Sequence, residues 1–132
     1  HVEKVIKPAL AAGTWVISDR FADSTTAYQG YGHGLGADVI SAMYDLVLPS
    51  FSTDLTIVLD LETEAGLKRA LSRSDGEDRY ERMDIEFHQR LRQGFLEIAR
   101  NSPDRCALID ASGDENQVFT ALLAVVQARL GL

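Results

Sequence analysis

The sequence is poor in cysteine: Cys106 is the one cysteine among 132 residues. A lone thiol cannot form an internal disulfide or a cysteine-based zinc cluster, so we expect Cys106 to be a small core residue. Long apolar runs are also missing, because no stretch approaches the roughly 18 residues that a membrane-spanning helix requires. The first residues, HVEKVIKPAL, lack the pattern of a secretory signal. These absences predict a cytoplasmic protein without a membrane partner.

Basic residues are fewer than acidic residues, 13 against 20, so the formal net charge at pH 7 is -7. This charge argues against a broad surface for nucleic acid or for anionic lipid, because both partners require an electropositive face. The rest of the composition, 45% hydrophobic and 25% charged, is ordinary for a soluble globular domain. We therefore expect one domain over residues 1–132.

The basic residues that are present gather in one region, where they alternate with acidic residues. Guanidinium groups donate paired hydrogen bonds to phosphate oxygens, so such a cluster favours a small phosphorylated ligand. For any single arginine, the alternative is an exposed ion pair on a solvated helix face. The members are Lys68, Arg69, Arg73, Arg79, Arg82, Arg90 and Arg92.

Three short apolar segments separated by helical patterns predict an α/β fold, with a parallel sheet covered by helices on both faces. The segments begin at Trp15, Thr56 and Cys106, and an aspartate follows each of them closely. Apolar residues at helical spacing predict five helices, with Gly13 ending the first and Asp38 capping the second. They run from Val2 to Leu10, Asp38 to Val47, Glu62 to Leu71, Phe87 to Asn101 and Val118 to Leu130.

The most distinctive stretch is WVISDRFADSTTAYQGYGHGLG, residues 15–36. It begins as an apolar strand and places the charged pair Asp19 and Arg20 at the carboxyl end, where open α/β sheets bind ligands. Glycines at positions 30, 32, 34 and 36 are expected to let the backbone turn sharply beside that site. Taken alone, residues 24–29 would be a helix start with ordinary surface polar groups.

The motif Asp-Arg-Phe followed by Ser24, Ala27, Tyr28, Gln29 and Gly30 resembles the nucleoside-monophosphate signature of bacterial thymidylate kinases. The resemblance extends to Ala111 and implies the P-loop NTPase fold of nucleoside monophosphate kinases. The family's phosphate-binding loop, GxxxxGK[ST], is not among these residues. We therefore expect the carboxyl-terminal part of a larger kinase, with amino-terminal strands outside this chain. In the family, one of those strands lies between the segments that match Val16 and Ile57.

The resemblance implies that the complete protein phosphorylates dTMP to dTDP with ATP and magnesium, and that it is a homodimer. One alternative is a truncated, noncatalytic α/β module that acts by association. Another is a kinase for a different nucleoside monophosphate, such as uridylate, which Tyr28 and Gln29 in the motif disfavour.

Site residues follow from the same resemblance. Arg20 matches the arginine that holds the phosphate of thymidylate, and its alternative role is an ion pair with a neighbouring carboxylate. Asp19 resembles the acidic end of a Walker B strand and would hold magnesium through water; helix capping or pairing with Arg20 is the alternative. The positions that line the thymine pocket are Ser24, Thr25, Tyr28 and Gln29.

A polar, glycine-containing segment, about 72–82, is expected to form a mobile lid. Its sequence Asp-Arg-Tyr-Glu matches the family's DRxE element, which makes Arg79 the candidate that contacts the transferring phosphoryl group. Arg73 is the alternative catalytic arginine, because the loop length does not decide between them.

The ATP side of the site is expected at Arg69, Asp110 and Ala111, which match positions that border adenine. Arg69 would stack on the base through its guanidinium plane. Its alternative role is that of an ordinary arginine on a helix surface. No metal site built from protein side chains is predicted, and we interpret His33 and His88 as structural.

Overall fold

The computed structural model describes residues 1–72 and 85–132, without the side chains of residues 71 and 72. It is an α/β chain in which helices flank a short parallel sheet. Two helical segments, π1 and π2, have π-helical hydrogen bonding. The elements in chain order are π1 (Val2–Ile6), α1 (Lys7–Ala11), α2 (Ala22–Thr25), π2 (Thr26–Gly32), α3 (Ala37–Val47), β1 (Thr56–Asp60), α4 (Thr63–Ser72), α5 (Ile85–Asn101), β2 (Cys106–Asp110) and α6 (Glu115–Leu130).

Strands β1 and β2 pair in parallel, from Thr56 beside Cys106 to Asp60 beside Asp110. This pairing confirms the predicted parallel α/β arrangement and places the two terminal aspartates side by side. The crossover between the strands runs through α4 and α5, as a parallel pair requires. Helix α5 packs against both strands and α6 packs against β2.

The first apolar segment, which begins at Trp15, is not a strand, so that prediction was wrong for the described structure. Trp15 is 63% exposed and Ile17 is 97% exposed. An extended segment becomes a strand only when a neighbour accepts its backbone hydrogen bonds. Among the described residues the sheet consists of β1 and β2, and neither of them pairs with this segment. The family resemblance likewise separates it from β1 by another strand.

The core forms where α5 packs against π2 and the sheet. Burial of Cys106, which is 4% exposed, confirms its predicted role as a small core residue. Aromatic rings from π2 and α5, those of Tyr28, Tyr31 and Phe95, pack around this centre. The buried members are Ala27, Val58, Phe87, Leu91, Ile98, Ala99 and Cys106.

The glycines of the signature divide into two kinds. Gly34 and Gly36 have φ angles of 76° and 92°, so they make the turns that the sequence predicted. Gly30 and Gly32 lie inside π2 and are buried, so the prediction of turns at these positions was wrong. A Cβ atom at Gly32 would lie 2.7 Å from the ring of Phe87, which shows that this glycine permits close packing of π2 on α5.

The ends of the remaining helices follow local chemistry. Asp114 and Gln117 form a reciprocal capping box at the start of α6, and Gly13 follows α1 with a φ of 73°. Helix α3 is capped by Gly36, with Asp38 inside its first turn, so the predicted Asp38 cap was wrong. Within residues 1–72 and 85–132, no helix is long and apolar enough to cross a bilayer.

Candidate functional site

Asp19 and Arg20 lie in a bend that leads into α2. Arg20 has a φ of 69°, in the left-handed region that side chains other than glycine rarely adopt. The Ser18 hydroxyl donates a hydrogen bond to the Arg20 carbonyl oxygen at 2.8 Å and thereby supports the turn. Left-handed backbone at a non-glycine residue costs about 1–2 kcal/mol, and strain of this kind is often concentrated at functional sites.

The bend places the Arg20 guanidinium against Tyr28, with 4.9 Å between the guanidinium carbon and the ring centre. The Tyr28 ring is held in turn by Phe87 and Phe95, at centroid distances of 6.3 and 6.4 Å. Within the described ranges, no carboxylate forms an ion pair with Arg20. The alternative role predicted for Arg20, an ion pair, therefore finds no partner in this part of the chain.

The other predicted pocket residues lie on the continuous helix that α2 and π2 form. Ser24 and Thr25 are half-buried on α2, and Gln29 is exposed on π2. The Tyr44 hydroxyl of α3 donates a hydrogen bond to Thr25 Oγ1 at 3.0 Å, a contact that sequence reasoning missed. π-Helical turns are frequent at functional sites because the extra residue redirects side chains, and here the distortion covers Tyr28 and Gln29.

A polar cluster that sequence reasoning also missed lies between α2 and the beginnings of the two strands. Arg105 grips both carboxylate oxygens of Asp23 at 2.7 Å, and the Thr56 hydroxyl donates to the same carboxylate at 2.9 Å. Burial alone raises the pKa of Asp23, but the hydrogen bonds and charge of Arg105, with the bond from Thr56, bring that pKa below its ordinary value. Asp23 and Arg105 are 82 positions apart in sequence, so no short sequence motif predicts that they pair.

Arg92 of the predicted basic cluster faces carboxylates. It donates to the two carboxylate oxygens of Asp60 at 2.7 and 3.0 Å, and its Nη1 lies 2.7 Å from Glu62 Oε1. The hydrogen bonds from Arg92 are the main reason that the pKa of Asp60 lies below its usual range. For Arg92, the ion-pair alternative is therefore the correct interpretation. A cavity of about 340 Å³ opens beside it, lined also by Gln89.

The predicted ATP-side residues come together at the carboxyl end of β2. Arg69 donates hydrogen bonds to the carbonyl oxygens of Ala111 and Ser112, each at 2.9 Å. Asp110 accepts a hydrogen bond from the Ser112 backbone N–H at 2.8 Å. Hydrogen bonds from Ser112 lower the pKa of Asp110. Arg69 thus ties helix α4 to the turn that follows β2.

The predicted lid lies almost entirely outside the described residues, and so do Arg73 and Arg79, whose roles stay predictions.

The histidine His33 packs against Phe87 with 5.0 Å between ring centres. Within the described part of the chain, no group of three or more histidine, cysteine, aspartate or glutamate side chains is arranged to hold a metal ion.

Comparisons with known proteins indicate the family of this chain. A family profile described as "Thymidylate kinase" matches residues 1–122. The thymidylate kinase of Caulobacter vibrioides is 50% identical over 132 residues, which cover all of this chain and 63% of that protein. The thymidylate kinase of Desulforapulum autotrophicum is 42% identical over 138 residues, covering all of this chain and 61% of that protein.

A structural comparison gives the same result. The crystal structure of thymidylate kinase from Ehrlichia chaffeensis matches with a TM-score of 0.73 and 36% sequence identity, over 96% of this chain and 57% of that chain. The chain thus spans less than two thirds of the length of these relatives. The profile, the relatives and the shared fold agree, and the chain belongs to the thymidylate kinase family.

Proposed function

We propose that this chain forms the carboxyl-terminal part of an enzyme that transfers a phosphoryl group from ATP to dTMP, giving dTDP for DNA synthesis. The observation that carries the proposal is the Arg20 guanidinium held 4.9 Å from the Tyr28 ring. A guanidinium that could bind a phosphate thus lies beside a flat ring that could pack on a sugar and base, which supports the proposal. Family membership supports thymidylate as the substrate.

The pocket residues supply complementary chemistry. Arg20 donates to the phosphate of thymidylate through its planar fork of N–H groups. The Gln29 amide can donate and accept along the edge of thymine, while Thr25 presents a hydroxyl nearby. Tyr28 packs its ring against the nucleoside.

ATP is proposed to bind on the side of Arg69, Asp110 and Ala111. The Arg69 guanidinium fixes the turn after β2 through the carbonyl oxygens of Ala111 and Ser112, which supports a preformed border for adenine. Magnesium accompanies ATP and neutralises phosphate charge. Among the described residues, Asp19 is exposed and free of an ion pair, and its carboxylate fits contact with magnesium through water.

Phosphoryl transfer requires alignment and charge stabilisation more than covalent help from the protein. Arg20 aligns the acceptor. A lid arginine, Arg79 with Arg73 as the alternative, would stabilise the charge of the transferring group. The phosphate-binding loop of the family would supply the backbone amides and lysine that hold the phosphates of ATP.

We extend the proposal to a cytoplasmic homodimer. On α3, the predicted apolar face is largely uncovered: Val39, Met43 and Leu46 are 61%, 47% and 84% exposed. Exposed apolar patches of this kind mark association surfaces. Sedimentation of the full-length gene product should give twice the monomer mass, and a monomer at all concentrations would contradict this extension.

The first test of the proposed function is the gene itself, whose coding sequence upstream of His1 should contain GxxxxGK[ST]. The second test replaces the matching 63% of the Caulobacter vibrioides enzyme with this chain and measures turnover of dTMP, dUMP and dGMP. We expect dTMP to be phosphorylated most efficiently. A folded hybrid that binds neither ATP nor dTMP would support the noncatalytic association module. Preference for another monophosphate would contradict thymidylate as the substrate.

A further inference from the structure

Asp23 lies inside the signature, but its side chain points away from the predicted pocket residues and toward the sheet. It precedes Ser24 and Thr25 on α2, and Arg20 and Tyr28 flank the same segment. Its carboxylate meets Arg105, the residue directly before β2, and Thr56, the first residue of β1. One carboxylate therefore links the pocket segment to the beginnings of both strands.

The geometry of this link fixes an orientation as well as a distance. Nη1 and Nη2 of Arg105 each lie 2.7 Å from a different oxygen of Asp23, the bidentate arrangement that restrains both groups to one plane. Nη1 also lies 3.3 Å from Thr53 Oγ1 and 3.2 Å from Thr56 Oγ1. The Asp23 and Arg105 side chains are 14% and 29% exposed, so water competes poorly for these bonds.

The pocket segment needs such a tether because it lies at the amino-terminal end of its helix. Helix α2 continues into π2 without a break, since Thr25 and Thr26 both have helical backbone angles, but its N-cap residue Phe21 makes no side-chain hydrogen bond. The first turn of a helix has backbone N–H groups without intrahelical partners and tends to fray, whereas π2 is anchored by packing on α5. Since Ser24 and Thr25 follow Asp23 directly, a displacement of this first turn would move both side chains relative to Tyr28.

We propose that Asp23 and Arg105 are positioning residues for the thymidylate pocket, acting by holding α2 so that Ser24 and Thr25 face the base. This inference rests on the proposed function. Asp23 and Arg105 contact neither substrate; they set the geometry of residues that do.

The test measures dissociation constants for dTMP and for ATP in the full-length gene product, at a temperature where circular dichroism shows every variant folded. Asp23→Asn keeps the shape and removes the charge, and Arg105→Lys keeps the charge and removes the bidentate fork. Each change should weaken dTMP binding by about tenfold, because small misplacements of binding groups are costly. The ATP dissociation constant should stay within about twofold.

A matched control separates positioning from general stability. Ile98→Val truncates a core residue that is 8% exposed, so it should lower the melting temperature without changing the ratio of the two dissociation constants. The double variant Asp23→Asn with Arg105→Lys should bind dTMP no worse than the weaker single variant, because both changes break the same link.

The outcomes distinguish this inference from the proposed function. If the unaltered protein binds no dTMP, the proposed function fails and the positioning inference fails with it. If the unaltered protein binds dTMP and both single variants bind it equally well, only the positioning inference is overturned. Equal weakening of dTMP and ATP binding would also overturn it, since that pattern indicates loss of general stability.

Discussion

The guanidinium carbon of Arg20 lies 4.9 Å from the centre of the Tyr28 ring, with no ion-pair partner for Arg20 among residues 1–72 and 85–132. A cation over an exposed aromatic face is worth about 0.5–1 kcal/mol. That energy is enough to favour one orientation of the Arg20 side chain, but it is too small to be a main source of the stability of the fold. The contact thus orients a positive charge that remains available for a phosphate.

Arg20→Ala in the full-length gene product should therefore weaken dTMP binding and leave the fold intact. A charged hydrogen bond to phosphate is worth roughly 1.5–3 kcal/mol, or about tenfold to a hundredfold in the dissociation constant. Calorimetry with dTMP measures the loss, and a melting curve checks stability. Unchanged dTMP affinity with a melting temperature lowered by many degrees would show that Arg20 has a structural role.

Arg69→Ala should raise the dissociation constant of ATP with little change in the turnover number. The Arg69 guanidinium orders the turn at Ala111 and Ser112, and contact with adenine would help the ground state and the transition state alike. Lys68→Ala, on the exposed surface of the same helix, is the matched control and should leave both quantities unchanged. If the two variants had the same ATP dissociation constant and turnover number, Arg69 would have no role in ATP binding and would be an ordinary arginine on the helix surface.

The lid arginines should show the opposite kinetic pattern. An interaction made chiefly in the transition state lowers turnover more than affinity when it is removed. Arg79→Ala in the full-length gene product should cut the turnover number by about a hundredfold or more, with the ATP dissociation constant nearly unchanged. If Arg73→Ala lost turnover and Arg79→Ala did not, Arg73 would be the catalytic arginine of the lid. Full turnover in the double variant would reject a catalytic lid arginine.

The 132-residue chain by itself should form no measurable dTDP. Without the backbone amides and lysine of a phosphate-binding loop, most of the electrostatic stabilisation of phosphoryl transfer is missing. A coupled assay measures turnover, and mass spectrometry verifies that longer chains are absent. Robust dTDP formation by such a preparation would contradict this expectation.

The Asp23 carboxylate should make the free energy of unfolding depend on pH in the acid range. Its pKa in the folded chain is below the ordinary value because Arg105 and Thr56 outweigh the effect of burial. A lowered pKa stabilises the fold at pH above the unfolded value of about 3.9, and this contribution is lost as pH falls through the folded pKa. At pH 7, Asp23→Asn should lower the free energy of unfolding by about 1.5–3 kcal/mol.

Urea unfolding at a series of pH values measures this dependence. The difference between the unaltered chain and Asp23→Asn should shrink as the pH is lowered below about 4. Asp54→Asn changes an exposed carboxylate and serves as the control, with a difference near zero throughout. A difference for Asp23→Asn that does not vary with pH would show that its charge does not stabilise the fold.

Local signals in the amino-acid sequence were enough to predict part of the fold. Short apolar segments of strand length predicted β1 and β2, and apolar residues at helical spacing predicted α5 and α6. The candidate pocket around Arg20 and Tyr28 came from the family resemblance. The resemblance also assigned Arg69 and Ala111 to the border of adenine, a role that stays a prediction. Their hydrogen bond was not predicted, since no local pattern joins a helix to a distant turn.

Features that depend on partners far apart in the chain emerged only from the folded structure. Asp23 and Arg105 are 82 positions apart, and only packing of α2 over the beginnings of both strands brings them together. The Trp15 segment has strand-like residues but no strand beside it in the described structure, because sheet pairing depends on hydrogen bonds from a neighbour and not on composition. Gly32 resembles a turn residue in sequence, yet it lies in a helix, where the missing Cβ atom lets the ring of Phe87 pack against the backbone.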